Sequence, residues 1–298
     1  MNRKEWLKLL PASLLPLAMG AVPAPASGAP KRVLRIAHLT DTHLMPERDA
    51  ERGMRACLEH CQSLSDAPDL IALGGDVIHD ALTHPVEKIE AQWEVWRRVK
   101  SDIRLPLLPC IGNHDVHPPT GKAWAMRELG LERPYYDLAK NGWHLIVLDS
   151  TTLTSPSGRY TAKLDEEQFA WLESRLAAID ASTPILIQSH IPILCAAAYL
   201  DGDNETTGDW VVPGAWMHID ARRITDLFHK HPNVKVCISG HIHLLDSVVY
   251  NGVTYHCDGA VSGAWWKGAY KQTGPGYALI DLYDDGTSRR EYVGFGWV

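Results

Sequence analysis

Apolar runs and short polar clusters alternate along this chain. Five runs read as buried strands, over residues 33–39, 70–73, 105–111, 184–187 and 234–238. Each is followed by a polar cluster: Asp41-Thr42-His43, Gly74-Gly75-Asp76, Gly112-Asn113-His114-Asp115, Ser189-His190 and Gly240-His241-Ile242-His243. Helical spacing of apolar positions predicts helices over about 50–64 and 86–100. Asp165-Glu166-Glu167-Gln168 reads as a capping box opening a helix whose Phe169, Leu172, Leu176 and Ile179 share one face. Residues 219–229 form another amphipathic segment. After His243 the pattern changes to short strands over 247–250, 253–257, 277–283 and 289–295, with hairpin turns at Asn251-Gly252 and Asp285-Gly286. Strand-helix alternation followed by hairpins predicts an α/β fold: two packed sheets with helices outside, in one domain. Residues 195–217 are rich in Gly, Asp and Trp without periodicity, which makes them a candidate cover over whatever the clusters build.

In α/β sheets strand ends converge on one edge, where ligands bind. The clusters supply Asp, Asn and His, the ligand set of hard to borderline divalent metals. Taken singly, each residue has a plain structural use. Asp41 or Asp76 can cap a helix, and Asn113 can serve a turn with Gly112. Those uses do not explain why all these residue types recur at successive strand ends.

The order D-x-H, G-D, G-N-H-D, lone His, G-H-x-H resembles the calcineurin-like metallophosphoesterase superfamily from Asp41 to His243. The resemblance implies a four-layer α-β-β-α sandwich of two mixed sheets flanked by helices. It implies two divalent metal ions, Mn, Fe, Zn or a mixture. Asp41, His43 and His243 would bind the first, Asn113, His190 and His241 the second, and Asp76 would bridge them. His114 would protonate the leaving alkoxide, and Asp115 would orient its ring. The implied activity is hydrolysis of a phosphomonoester or small phosphodiester by attack of metal-bound hydroxide. The alternatives are a class III-like 3′,5′-cyclic nucleotide phosphodiesterase and a non-catalytic metal-binding interaction module. Purple acid phosphatases carry Tyr three residues after the bridging Asp. Here that position is His79, so no tyrosinate–iron chromophore is expected.

Composition narrows the partner. Net charge is −7 with His neutral, which argues against a nucleic-acid polymer, whose backbone needs a basic face. A small phosphorylated substrate remains compatible when metals supply local positive charge. There are 11 Trp against 3 Phe, and several Trp fall in late loops. Trp265 and Trp266, in the glycine-bearing 259–268 segment, are candidate substrate contacts with His79 and His117. Trp packing against the second sheet is the competing use. The 259–268 segment is similar to tails of bacterial exported members of the family.

The N-terminus reads as an export signal over residues 1–26, preceding a phosphoesterase domain over 27–298 in which strands within 244–298 complete the second sheet. Arg3, Lys4 and Lys8 precede a mostly apolar run, and Ala24-Pro25-Ala26 fits a cleavage site. The start resembles a twin-arginine motif with Lys4 in place of the second Arg, so a twin-arginine or an ordinary secretory route delivers the chain to the periplasm or outside. Its apolar run is too short to span a membrane, and no transmembrane span is expected in the mature chain. The six Cys form no dense framework and read as small buried hydrophobes. Nothing in the pattern indicates the oligomeric state.

Overall fold

The 33–39 run becomes β1 (Arg32–Leu39), buried throughout from Ile36 onward, as suits a strand covered on both faces. It is the central strand of a five-stranded sheet. β2 (Leu70–Leu73) and β3 (Leu107–Pro109) lie parallel to it on one side; on the other, β12 (Gly276–Tyr283) runs antiparallel to it and β13 (Ser288–Gly294) antiparallel to β12. The structure, a computed structural model, describes residues 28–201 and 206–298. The predicted export signal lies outside the described residues.

A second sheet runs β10 (Asp246–Tyr250), β11 (Val253–Cys257), β9 (Val234–Ser239), β8 (Ile185–Ser189), β5 (Trp143–Leu148), β4 (Tyr136–Lys140). Its inner four strands are parallel, and each edge strand returns as an antiparallel hairpin. Leu34, Ile36, Ala72 and Leu108 of the first sheet meet Leu145, Val147, Leu186, Val236 and Ile238 of the second in one apolar interlayer. α1 (Ala50–Gln62) and α2 (Val86–Lys100) cover the first sheet with Met54, Leu58, Trp93 and Trp96. α4 (Glu166–Ala178) and α6 (Ala221–His229) cover the second with Phe169, Leu172, Ile224 and Phe228. The result is the expected four layers. Among the described residues no helix is long and apolar enough to cross a membrane. All six cysteines are buried and unpaired.

Three departures from the sequence reading have physical causes. The strands after residue 244 do not all complete the second sheet. β10 and β11 do, but β12 inserts beside β1, with Ile36 opposite Ile280. Seven of the eight residues of β12 are buried, so it needs a sheet neighbour on each side and cover on both faces. β4 and β5 went unpredicted, although Asn141-Gly142, with φ of 51° and 85°, closes them with the same signal as Asn251-Gly252. The capping box at α4 is half formed. Asp165 accepts from the Gln168 amide at 2.7 Å, but the Gln168 side chain turns away to exchange two 2.8 Å hydrogen bonds with the Asp149 backbone after β5.

Candidate metal centre

The five clusters meet at one edge because β1, β2, β3, β8 and β9 all run toward it. Their tight turns put ligand residues in the left-handed backbone region: φ is 54° at Asp41, 42° at His43, 51° at Asp76, 71° at His241 and 59° at His243. Asp and His enter that region more readily than most residues, and such strain persists where the surroundings over-determine it. Two motif glycines are needed for close approach. A Cβ at Gly112 would fall 2.1 Å from Asp76 Oδ1, and one at Gly240 would fall 2.0 Å from Thr40 Oγ1 and 2.2 Å from Asp41 Oδ2.

Two candidate ligand groups result: Asp41, His43 and His243, and Asp76, His190 and His241. In the first, Asp41 Oδ2 accepts from Thr40 Oγ1 at 2.6 Å and from the His241 amide at 2.9 Å. Its Oδ1 is buried without a partner, 3.4 Å from His243 Nε2 and 3.9 Å from His43 Nε2. His243 Nδ1 donates to the Gly263 carbonyl at 2.7 Å, so its Nε2 presents a lone pair, 3.1 Å from His43 Nε2. In the second, His190 Nδ1 donates to the Gly74 carbonyl at 2.8 Å, which frees Nε2. That Nε2 lies 3.1 Å from Asn113 Oδ1 and 3.2 Å from Asp76 Oδ2, adding Asn113 to the group.

Asp76 links the groups. Its Oδ1 accepts the His114 amide at 2.8 Å, while Oδ2 stands 3.2 Å from His190 Nε2 and 3.8 Å from His43 Nε2. Buried carboxylate, imidazole and amide atoms converging at these distances are what a cation would satisfy. Proton affinities agree. Burial holds His241 down to about 3, with His190 adding to the effect, so its ring is neutral and able to ligate. His190 is driven up to about 9 despite burial, chiefly by the Asp76 carboxylate, a proton standing where a metal charge would serve. The donor set of neutral imidazoles, carboxylates and an amide oxygen fits divalent transition metals.

His114 lies at the cavity with its ring 5.2 Å from that of His43. Its orienting partner is not Asp115. The Asp115 carboxylate accepts from three backbone amides, Val77 at 2.8 Å, Ile78 at 3.1 Å and Gly112 at 2.9 Å, and so ties the Asp76 turn to the Gly112 turn. Asp80 Oδ1 instead lies 3.3 Å from His114 Nδ1. Burial pulls the His114 proton affinity down, but Asp76 and Asp80 more than offset it and raise it above the ordinary imidazole value. Asp115, sequestered beside Asp76, is pushed up to about 7 by burial first and the neighbouring charge second.

The remaining predicted contacts divide. His79 comes to the site, 6.1 Å ring to ring from His43, and burial with His114 and Arg48 nearby lowers it to about 4. Trp265 lines the cavity, its ring 4.8 Å from His243 and 5.7 Å from Tyr270. Trp266 does not. It is 6 % exposed, packs on α1 at Gly53, and its Nε1 donates to the Thr42 carbonyl at 2.9 Å, bracing the D-x-H turn from behind. Its packing is with the helix layer of the first sheet rather than with the second sheet. His117 also turns away, to Thr120 Oγ1 at 3.0 Å and the Trp124 ring. Trp216 and Tyr270 complete a cavity of about 170 Å³. Trp216 lies in the predicted covering stretch, whereas Trp210 is 56 % exposed against Tyr199. Asp80, four residues after Asp76 and 34 before His114, and Tyr270 carried no motif.

Comparison with known proteins agrees with this geometry. The chain is similar to a 3′,5′-cyclic adenosine monophosphate phosphodiesterase, CpdA, of Escherichia coli, 24 % identical over 269 residues, covering 87 % of this chain and 88 % of that one. It is also similar to a probable glycerophosphodiester phosphodiesterase, GpdQ, of Arcobacter nitrofigilis, 21 % identical over 227 residues and covering 73 % and 75 %. A dimetal phosphatase from Danio rerio shares the fold with a TM-score of 0.64 at 13 % identity, covering 89 % of this chain and 97 % of that one. The calcineurin-like phosphoesterase family model matches residues 34–245, the span that holds all seven candidate ligand residues and His114, and the chain belongs to that family.

Proposed function

We propose that this phosphoesterase uses two divalent ions and prefers a small phosphodiester. One observation supports the two-ion reading above the rest: Asp76 Oδ2 faces both His190 Nε2 and His43 Nε2, at 3.2 and 3.8 Å, as a shared carboxylate must. Asp41, His43 and His243 would hold one ion and Asn113, His190 and His241 the other. Ions held there supply Lewis-acid charge to the phosphoryl oxygens and acidify water. The chain's own residues do the rest. With Nδ1 turned to Asp80, His114 presents Nε2 to the cavity and delivers its proton to the departing alcohol oxygen. Trp216, Trp265 and Tyr270 wall the cavity with aromatic surface and exclude water from the ester.

The diester preference draws on the relatives, two of which are named as diesterases of cyclic AMP and of glycerophosphodiesters. A rate comparison on a mono-aryl phosphate, a bis-aryl phosphate, cyclic AMP and a glycerophosphodiester, after separate reloading with Mn, Zn and Fe, tests it. Faster turnover of the diesters is expected; the mono-aryl ester being fastest with every metal contradicts it. Export is proposed from the basic, apolar and small-residue order of residues 1–26. Recovery of the full-length chain solely in the cytoplasm, with its N-terminus intact, contradicts that.

A further inference from the structure

β6 (Thr151–Leu153) and β7 (Tyr160–Ala162) form a two-stranded hairpin that belongs to neither large sheet. It is fastened to the stretch that carries Trp216. The Ala162 amide and Thr161 Oγ1 both donate to the Gly214 carbonyl, at 2.6 and 2.9 Å, and the Ile219 amide donates back to the Ala162 carbonyl at 3.0 Å. This clamp fixes Tyr160 at the start of β7. The Tyr160 ring stands edge-on to His241, with centroids 6.3 Å apart, on the side of the second ligand group. Its hydroxyl has no hydrogen bond to another described residue. The residue is half-buried.

A phenol hydroxyl is a hydrogen-bond donor. Beside the His241 ring, with no acceptor engaged among the described residues, its natural acceptor is an anionic oxygen entering the centre. We infer that Tyr160 is a substrate-binding residue whose hydroxyl donates to a non-bridging phosphoryl oxygen of the ester, on the His241 side of the site. This deepens the phosphoesterase reading and rests on it. Trp265 and Tyr270 flank the first group, and Tyr160 supplies the directed polar contact beside the second. The His241 ring that Tyr160 meets edge-on lines the cavity.

The test compares Mn-loaded parent, Tyr160→Phe and Tyr160→Leu. Three quantities are read: metal content, the dissociation constant of inorganic phosphate by calorimetry, and kcat and KM on a bis-aryl phosphate. With metal content equal to the parent's, Tyr160→Phe should bind phosphate about tenfold more weakly and lose about ten- to a hundredfold in kcat/KM, since it removes one hydrogen bond to a charged group. Tyr160→Leu should fall no further than about twofold below Tyr160→Phe. Phe matching the parent within twofold in both readouts overturns the inference. So does Phe matching the parent while Leu fails, because the ring and not the hydroxyl then matters. Loss of metal in Tyr160→Phe overturns it too. If the parent hydrolyses no phosphoester, the functional reading fails instead, and the phosphate constants still decide the role of Tyr160.

Discussion

The two candidate ligand groups meet at Asp76 but are held differently. In the first, Asp41 is clamped by Thr40 and the His241 amide, His243 is anchored to Gly263, and Trp265 lies across the rings. Trp266 braces the turn from behind. In the second, only His190 has such an anchor, at Gly74. The Asn113 amide nitrogen has no partner, and the His241 ring is positioned by its neighbours His190 and Tyr160, with no hydrogen bond to a described residue. Partners behind a ligand fix its orientation and are worth tenfold to a hundredfold in metal affinity. The first position should therefore bind more tightly, and the second should be the one that exchanges.

The harshest way to break this comparison is Asp76→Ala, which removes the element common to both groups. Activity should fall to background and bound metal to at most one ion per chain; retained turnover would show that the carboxylate is not shared. His114→Ala should next cost about 10²–10⁴-fold in kcat while metal analysis still finds the parent's content, the loss typical of a missing general acid. His241→Ala against His243→Ala addresses the asymmetry itself. The former should empty the second position alone, and timed chelation of the parent should release the ions in two phases. A single phase removing both would contradict the difference between the groups.

The smallest effects separate Asp80 from Asp115. Asp80 helps raise the His114 proton affinity, so the protonated acid persists to higher pH. Asp80→Asn removes that support, lowers the affinity, and should move the alkaline limb of the pH–rate profile to lower pH. Asp115→Asn should leave that limb in place. It should cost about 1–3 kcal/mol of stability in denaturant titrations, the range for spoiling a buried acceptor. Its carboxyl, pushed up to about 7, gains a proton more readily folded than unfolded, so its ionisation should erode stability as pH rises through neutrality.

The catalytic edge was readable because each motif residue has a local reason to be where it is. Gly112 and Gly240 make room for Asp76 and for Asp41 with Thr40, and Asp and His tolerate the left-handed turns. Roles that depend on orientation were not readable. Asp115 adjoins His114 in sequence whereas Asp80 lies 34 residues before it, and only packing decides that the distant acid reaches the ring and the adjacent one the backbone. Trp265 and Trp266 are adjacent, with φ of 53° and 66°, and point to opposite fates, one in the cavity and one in the helix layer. The β6–β7 hairpin carries no apolar alternation, since three-residue strands are too short to show a period, and Tyr160 was missed with it. β5 is followed by Asp149-Ser150, a sixth polar cluster of the same form. There Asp149 pairs with Lys122 and Ser150 Oγ accepts from the Ile191 amide, so its use is structural.

The most direct measurement is the anomalous scattering of a crystal of the Mn-loaded protein. Two peaks on either side of Asp76 Oδ2 are predicted, one among Asp41, His43 and His243 and one among Asn113, His190 and His241, the second weaker. A single peak, or none, in protein that still hydrolyses a phosphoester would contradict the shared-carboxylate centre.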